Sequence, residues 1–185
     1  MKPAPPEIPG LILIETPKFS DSRGYFFESF NQKNFQNFTG LKKEFVQDNL
    51  SSSVIHSLRG LHLQVPPFAQ GKLVRVIKGK VLDVVVDIRK NSPFYGKHYS
   101  VILSEENNLS LWIPEGFAHG FTSLENNTLF SYKCTHYYSK GHERTIQWND
   151  EVLNINWGTK NPVVSEKDNL GLPFASFESP FMYGK

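Results

Sequence analysis

Two histidines define the chemistry open to this chain. His62 lies in Leu58-Arg59-Gly60-Leu61-His62-Leu63-Gln64, an apolar, strand-like segment that also carries Arg59 three residues earlier. His119 closes the turn Pro114-Glu115-Gly116-Phe117-Ala118-His119 and leads into another strand-like segment. Histidines on strands of a β-rich chain point to a small barrel with a polar pocket. Such a pocket is either a metal site or an acid/base site.

Metal-binding barrels of the cupin type pair a His-x-His element and a carboxylate with a third histidine after a Pro-x-Gly turn. The Pro114 to His119 element resembles the second of these motifs. The first is broken, because Gln64 stands two residues after His62 and no glutamate follows at the usual short distance. A catalytic zinc or iron site takes at least three protein ligands, so two histidines alone do not make one, and no metal is expected. A pair of ordinary core histidines fits poorly too, since a strand with Arg59, His62 and Gln64 is too polar for that. Acid/base chemistry remains. Histidine abstracts protons near neutral pH when another group fixes its tautomer. Asp168, in Ser165-Glu166-Lys167-Asp168-Asn169, is a candidate for that orienting group, one of 18 acids in the chain. Arg23, Arg59 and Lys72 are either solvated surface charges or, if they converge, a site for a diphosphate.

The elements that must position these residues are strands. Residues 72–78 and 81–88 are β-branched runs, and Gly79-Lys80 between them reads as a tight hairpin. Residues 11–15, 24–30, 44–49, 54–64, 98–103, 109–113, 116–123 and 129–138 are further strand candidates. Only 32–38 and 166–169 read as helical. Turn clusters such as Asn91-Ser92-Pro93 recur at the spacing of a sandwich or barrel. The expected fold is all-β, a jelly-roll barrel with a few short helices, formed by residues 1–185 as one domain.

Composition narrows the function. A net charge of +2 points to neither nucleic acid nor membrane. The single cysteine, Cys134, cannot form an internal disulfide, which fits a reducing cytoplasm. The start, Met1-Lys2-Pro3-Ala4-Pro5-Pro6, lacks the apolar stretch of a signal peptide. Fifteen Phe and seven Tyr serve core packing and interfaces, with stacking on a planar ligand as the more specific use of a few.

An ordered set of motifs then identifies the chain as similar to the dTDP-4-dehydrorhamnose 3,5-epimerases, a family of the cupin superfamily. The set runs Asp21-Ser22-Arg23-Gly24-Tyr25-Phe26-Phe27-Glu28, Val46-Gln47-Asp48-Asn49, Leu58 to Gln64, and Ala69-Gln70-Gly71-Lys72-Leu73-Val74. It continues with Asp83-Val84-Val85-Val86-Asp87-Ile88-Arg89, Pro114 to Phe121, Tyr132-Lys133-Cys134, Trp148-Asn149-Asp150 and Ser165 to Asp168. Past Leu170 no motif carries over.

The resemblance implies epimerisation of a dTDP-4-keto-6-deoxyhexose at C3 and C5, on the route to dTDP-L-rhamnose, without a cofactor. It implies His62 as base, Asp168 as its partner, Tyr132 as acid and Lys72 beside the C4 oxygen. Arg23 and Arg59 would hold the diphosphate, and Tyr138 would stack on thymine. Glu28, Gln47, Asn49, His119, Glu143 and Lys167 fall at positions of substrate contact. A homodimer with exchanged N-terminal strands is implied, Arg23 reaching the partner's pocket. The alternatives are a single-site epimerase or one acting on a different nucleotide-linked 4-keto sugar, a 3,4-ketoisomerase, a non-catalytic sugar-nucleotide binder and a metal-dependent dioxygenase. His62, Tyr132 and Asp168 together speak against a mere binder, which needs no matched acid and base.

Overall fold

The computed structural model describes residues 2–4 and 7–184. Its elements are, in chain order, β1 (Lys2–Ala4), β2 (Ile12–Glu15), β3 (Phe19–Asp21), β4 (Gly24–Phe26), α1 (Gln32–Thr39), β5 (Gln47–Ser53), β6 (Ser57–Gln64) and β7 (Lys72–Lys78). Then come β8 (Lys80–Asp87), β9 (His98–Ser104), β10 (Leu109–Ile113), β11 (Phe117–Ser123), β12 (Thr128–Cys134), β13 (Glu143–Thr145), β14 (Val163–Val164) and α2 (Glu166–Asn169). No helix among the described residues is long and apolar enough to cross a membrane.

Two sheets face each other in a jelly roll. The first has the order β1-β2-β10-β7-β12-β5 and the second β13-β6-β11-β8-β9. All of these neighbours are antiparallel, and β14 alone joins β6 in parallel. A core cluster forms between the sheets, with Val74, Val76, Leu111, Ile113 and Phe130 from the first and Val81, Val85, Leu103 and Phe121 from the second. Alternate residues of each strand point there because side chains change face at every step.

The outer faces are covered as well. On the first sheet, α1 sets Phe35 against Ile14, Leu73 and Trp112. That helix starts where the Asn31 side chain accepts from the Asn34 amide at 3.0 Å and stops at Gly40 in the left-handed conformation. On the second sheet, Ile146, Leu153, Trp157, Phe174 and Phe177 cover Leu58, Leu61, Val84 and Val86. The tail beyond Leu170, which carries no recognisable motif, therefore has a definite packing role.

The hairpin expected at Gly79-Lys80 does not form. β7 and β8 lie in different sheets, and the chain passes from one to the other through Gly79 alone. Gly79 has φ +81°, and a Cβ there would sit 2.6 Å from Thr128 Oγ1. Both strands are buried along most of their length, so each is better satisfied by partners distant in sequence than by the other. Other expected strands shift at their ends. Residues 24–30 shorten to Gly24–Phe26, 44–49 moves to Gln47–Ser53, 54–64 begins at Ser57, and 129–138 ends at Cys134, where a loop begins.

Candidate active site

A cavity of about 520 Å³ opens between the sheets, lined by Arg59, His62, Lys72, His119, Tyr132, Glu143, Lys167 and Asp168 among others. A second recess shares His62, Lys72, Tyr132 and Glu143 with it and adds Gln47, Asn49, Gln64 and Tyr138. Strands of both sheets, with α2, thus bring together residues that are far apart in sequence.

His62 is set on β6, opposite His119 on β11. The two strands approach unusually closely. A Cβ on Gly60 would lie 2.5 Å from the Gly120 Cα, so glycine is needed for both strands to pass. Asp168 reaches His62 because β14 runs beside the start of β6, with Val164 against Leu58, and delivers α2 to the pocket. The Ser165 hydroxyl caps α2 by accepting from the Asp168 amide at 3.2 Å. Asp168 Oδ1 and His62 Nε2 are 2.5 Å apart, and the carboxylate is buried. Burial works to raise the Asp168 carboxyl, but hydrogen bonds from His62, Ser165 and the Gly60 backbone outweigh it and hold it below the usual carboxylate range. A carboxylate at one ring nitrogen decides which nitrogen carries the proton and leaves the other basic.

Behind this pair lies another that sequence reasoning missed. His119 Nε2 is 2.9 Å from Asp83 Oδ2, and both side chains are buried. Asp83 interrupts the apolar run from Val81 to Val86 and opens one of the motifs of the ordered set, but neither signal paired it with His119. Its Oδ1 has no hydrogen-bond partner among the described residues.

The facing wall comes from the first sheet. Lys72 on β7 sits directly across from Cys134 on β12, and Tyr132 is on the same strand as Cys134. Burial pushes the Lys72 ammonium down, opposed by the charges of Cys134, Glu143 and Asp83. Burial pushes the Tyr132 phenol up, with Cys134 and Glu143 adding to it and Arg59 opposing. Arg59 is steadied by the Ser53 hydroxyl at 3.2 Å and the Ser52 carbonyl at 3.2 Å.

At the mouth, Tyr138 donates its hydroxyl to Glu143 Oε2 at 2.9 Å, and Lys167 Nζ donates to Glu143 Oε1 at 2.5 Å. Burial tends to raise the Glu143 carboxyl, yet the bonds from Lys167 and Tyr138 bring it below its ordinary value. Gln47 Nε2 donates to Asn49 Oδ1 at 3.0 Å, and Asn49 Nδ2 contacts the Cys134 sulfur at 3.6 Å.

Two of the expected site residues lie elsewhere in the chain. Arg23, its side chain 88% exposed, pairs with Asp21 at 2.6 Å. Glu28 bonds Asn31 and Asn34 and lines a separate groove beside α1. Among the described residues, no three His, Cys, Asp or Glu side chains come together as a metal site.

Known proteins match the chain closely in sequence and fold. The family profile of dTDP-4-dehydrorhamnose 3,5-epimerase matches residues 5–176. The enzyme of that name from Shigella flexneri is 54% identical over 168 residues, 91% of this chain and 93% of its own length. A dTDP-6-deoxy-D-glucose-3,5-epimerase from Legionella pneumophila, in complex with dTDP-4-keto-L-rhamnose, superposes with a TM-score of 0.92 at 42% identity, over 96% of this chain and 94% of that one. A dTDP-4-dehydrorhamnose 3,5-epimerase from Elizabethkingia anophelis gives a TM-score of 0.89 at 45% identity, over 95% and 97% of the two chains.

Proposed function

The chain belongs to the dTDP-4-dehydrorhamnose 3,5-epimerase family, and on that premise we propose how its own residues carry out the reaction. The enzyme converts dTDP-4-dehydro-6-deoxy-D-glucose into dTDP-4-dehydro-L-rhamnose by inverting C3 and C5, a step towards dTDP-L-rhamnose. Both carbons flank the C4 ketone, so removing either hydrogen gives a delocalised enolate. Each inversion then needs a base on one face of the sugar and an acid on the other.

His62 is the base, with Asp168 orienting it and stabilising the imidazolium it becomes. Tyr132 is the acid that returns a proton from the opposite face. The observation that carries this reading is that His62 and Tyr132 line one cavity from different sheets. The raised Tyr132 phenol suits a group that must hold its proton until the enolate forms. Lys72 meets the charge that develops on the C4 oxygen. Arg59 holds the diphosphate, Tyr138 stacks on the thymine, and Gln47, Asn49, His119, Glu143 and Lys167 contact the substrate.

Arg23 and Glu28 reach a cavity that holds His62 only if a second copy of the chain receives them there. The β3–β4 hairpin beside them exposes Phe19 (65%) and Phe26 (71%), the apolar surface a partner would cover. The working unit is thus a homodimer with exchanged N-terminal strands, each chain acting as one domain. A nucleotide-linked substrate and a single free thiol fit the cytoplasm.

The decisive experiment is incubation with dTDP-4-keto-6-deoxyglucose in deuterated water. Deuterium at both C3 and C5 of the product is expected. Deuterium at C3 alone would make the protein a single-site epimerase.

A further inference from the structure

We propose that Gln64 is a positioning residue for nucleotide recognition, and that with Gln47 and Gln70 it holds the loop bearing Tyr138 ready for the base. Gln64 occupies the position at which metal-binding barrels of this type carry their second histidine. Its side chain is buried, but it faces a loop instead of an ion. Nε2 donates to the Phe68 carbonyl at 2.7 Å and to the Tyr137 carbonyl at 3.2 Å, while Oε1 accepts from the Ser139 amide at 2.6 Å.

Two more glutamines complete the hold. Gln70 Nε2 donates to the His136 carbonyl at 2.7 Å, and Gln47 Oε1 accepts from the Tyr138 amide at 2.8 Å. Four consecutive residues, His136 to Ser139, therefore each give one backbone group to a glutamine amide. The loop follows on β12 and, among the described residues, has no strand beside it to bond with. With no strand beside the loop to pair its backbone, these amides supply both donors and acceptors from neutral side chains.

Tyr138 is itself 54% exposed. Its backbone is fixed by Gln47 and its phenol by Glu143, so the ring stands as a platform before any ligand arrives. Ordering a loop during binding weakens affinity, and a loop already ordered avoids that loss. The inference rests on the reading that Tyr138 meets the base.

The test measures the affinity of thymidine diphosphate and of pyrophosphate for the intact protein and for Gln64→Leu, Gln70→Leu and Tyr138→Ala, by calorimetry, together with kcat and KM. Gln64→Leu should weaken thymidine diphosphate about tenfold, as expected for losing one or two net hydrogen bonds. Pyrophosphate affinity should stay within twofold, and the catalytic loss should fall on KM with kcat within twofold. Gln70→Leu should show the same pattern more weakly, and it stands in should Gln64→Leu not fold. Gln64→Glu keeps the acceptor for Ser139 but not the donors, and should fall between wild type and Gln64→Leu. Unchanged thymidine diphosphate binding in Gln64→Leu and Gln70→Leu, or equal weakening of both ligands, would overturn the inference. If Tyr138→Ala binds thymidine diphosphate as tightly as wild type, the base-stacking reading fails instead.

Discussion

The two walls of the cavity are built on different terms. On the second sheet His62 is tied to Asp168, and His119 beside it to Asp83. On the first sheet Lys72 and Tyr132 are half-buried, yet among the described residues neither is engaged by a hydrogen bond, and desolvation shifts each against its charged form. A base has to present one tautomer in one orientation, which a fixed partner provides. Groups that meet developing charge act best when nothing in the protein already satisfies them, because their interaction then appears only with the substrate. The contrast separates a wall that is held from a wall that is kept free.

Breaking the held wall should have the largest effect. His62→Ala should reduce solvent exchange at both C3 and C5 by at least ~10²–10⁴-fold, the usual weight of general acid–base catalysis. Deuterium incorporation followed by NMR measures this, and wild-type exchange in a folded variant would remove His62 from the role.

The free wall makes a double prediction at Lys72. Lys72→Met should lower kcat by roughly 10²–10³-fold, as loss of a preorganised charge does. It should also raise stability at neutral pH. A lysine whose folded pKa lies below 10.5 is penalised while both states are protonated, and the penalty fades as pH rises towards 10.5. Tm should therefore increase by roughly 2–4 °C for each kcal/mol recovered. A fall in Tm at pH 7 would show that Lys72 has a partner that stabilises it.

Tyr132→Phe sharpens the comparison further, since it removes one atom from the free wall and leaves the held wall intact. Exchange at C3 should persist in part, because His62 can still take a proton. Inversion at C5 should fall by about 10²-fold, because His62 returns a proton only to the face it came from. Product configuration resolved carbon by carbon decides it, and normal inversion at both centres would leave Tyr132 as pocket wall.

The smallest effect concerns acid. The Asp168 carboxyl is held below its ordinary 3.8, so its contribution to stability is present above that value and lost as pH falls through the lower folded value. Asp168→Asn should lose this dependence, with denaturation midpoints between pH 5 and 2 less steep than those of wild type. Identical slopes would show that the pair does not couple folding to protons.

Much of this was legible in the residues. Runs of β-branched and apolar residues located β7 and β10, and strand signals along the chain identified it as all-β. The broken metal motif at Gln64 directed attention to acid/base chemistry, and the ordered motifs named the family. Short-range readings failed where the partner was remote. Gly79 looked like a hairpin because its neighbours in sequence are both strands, but their pairing was decided by β10, β12, β9 and β11.

Residue types and local periodicity are properties of neighbouring positions, and the chain alone determined them: a β-rich fold, two histidines on strands, and a motif set specific to one family. Which side chains meet was decided by tertiary structure. Asp168 reaches His62 across 106 positions, Asp83 reaches His119 across 36, and three glutamines converge on one loop from three places. Strand pairing and sheet packing minimise the free energy of the whole chain, so no short stretch of sequence contains the information about those meetings.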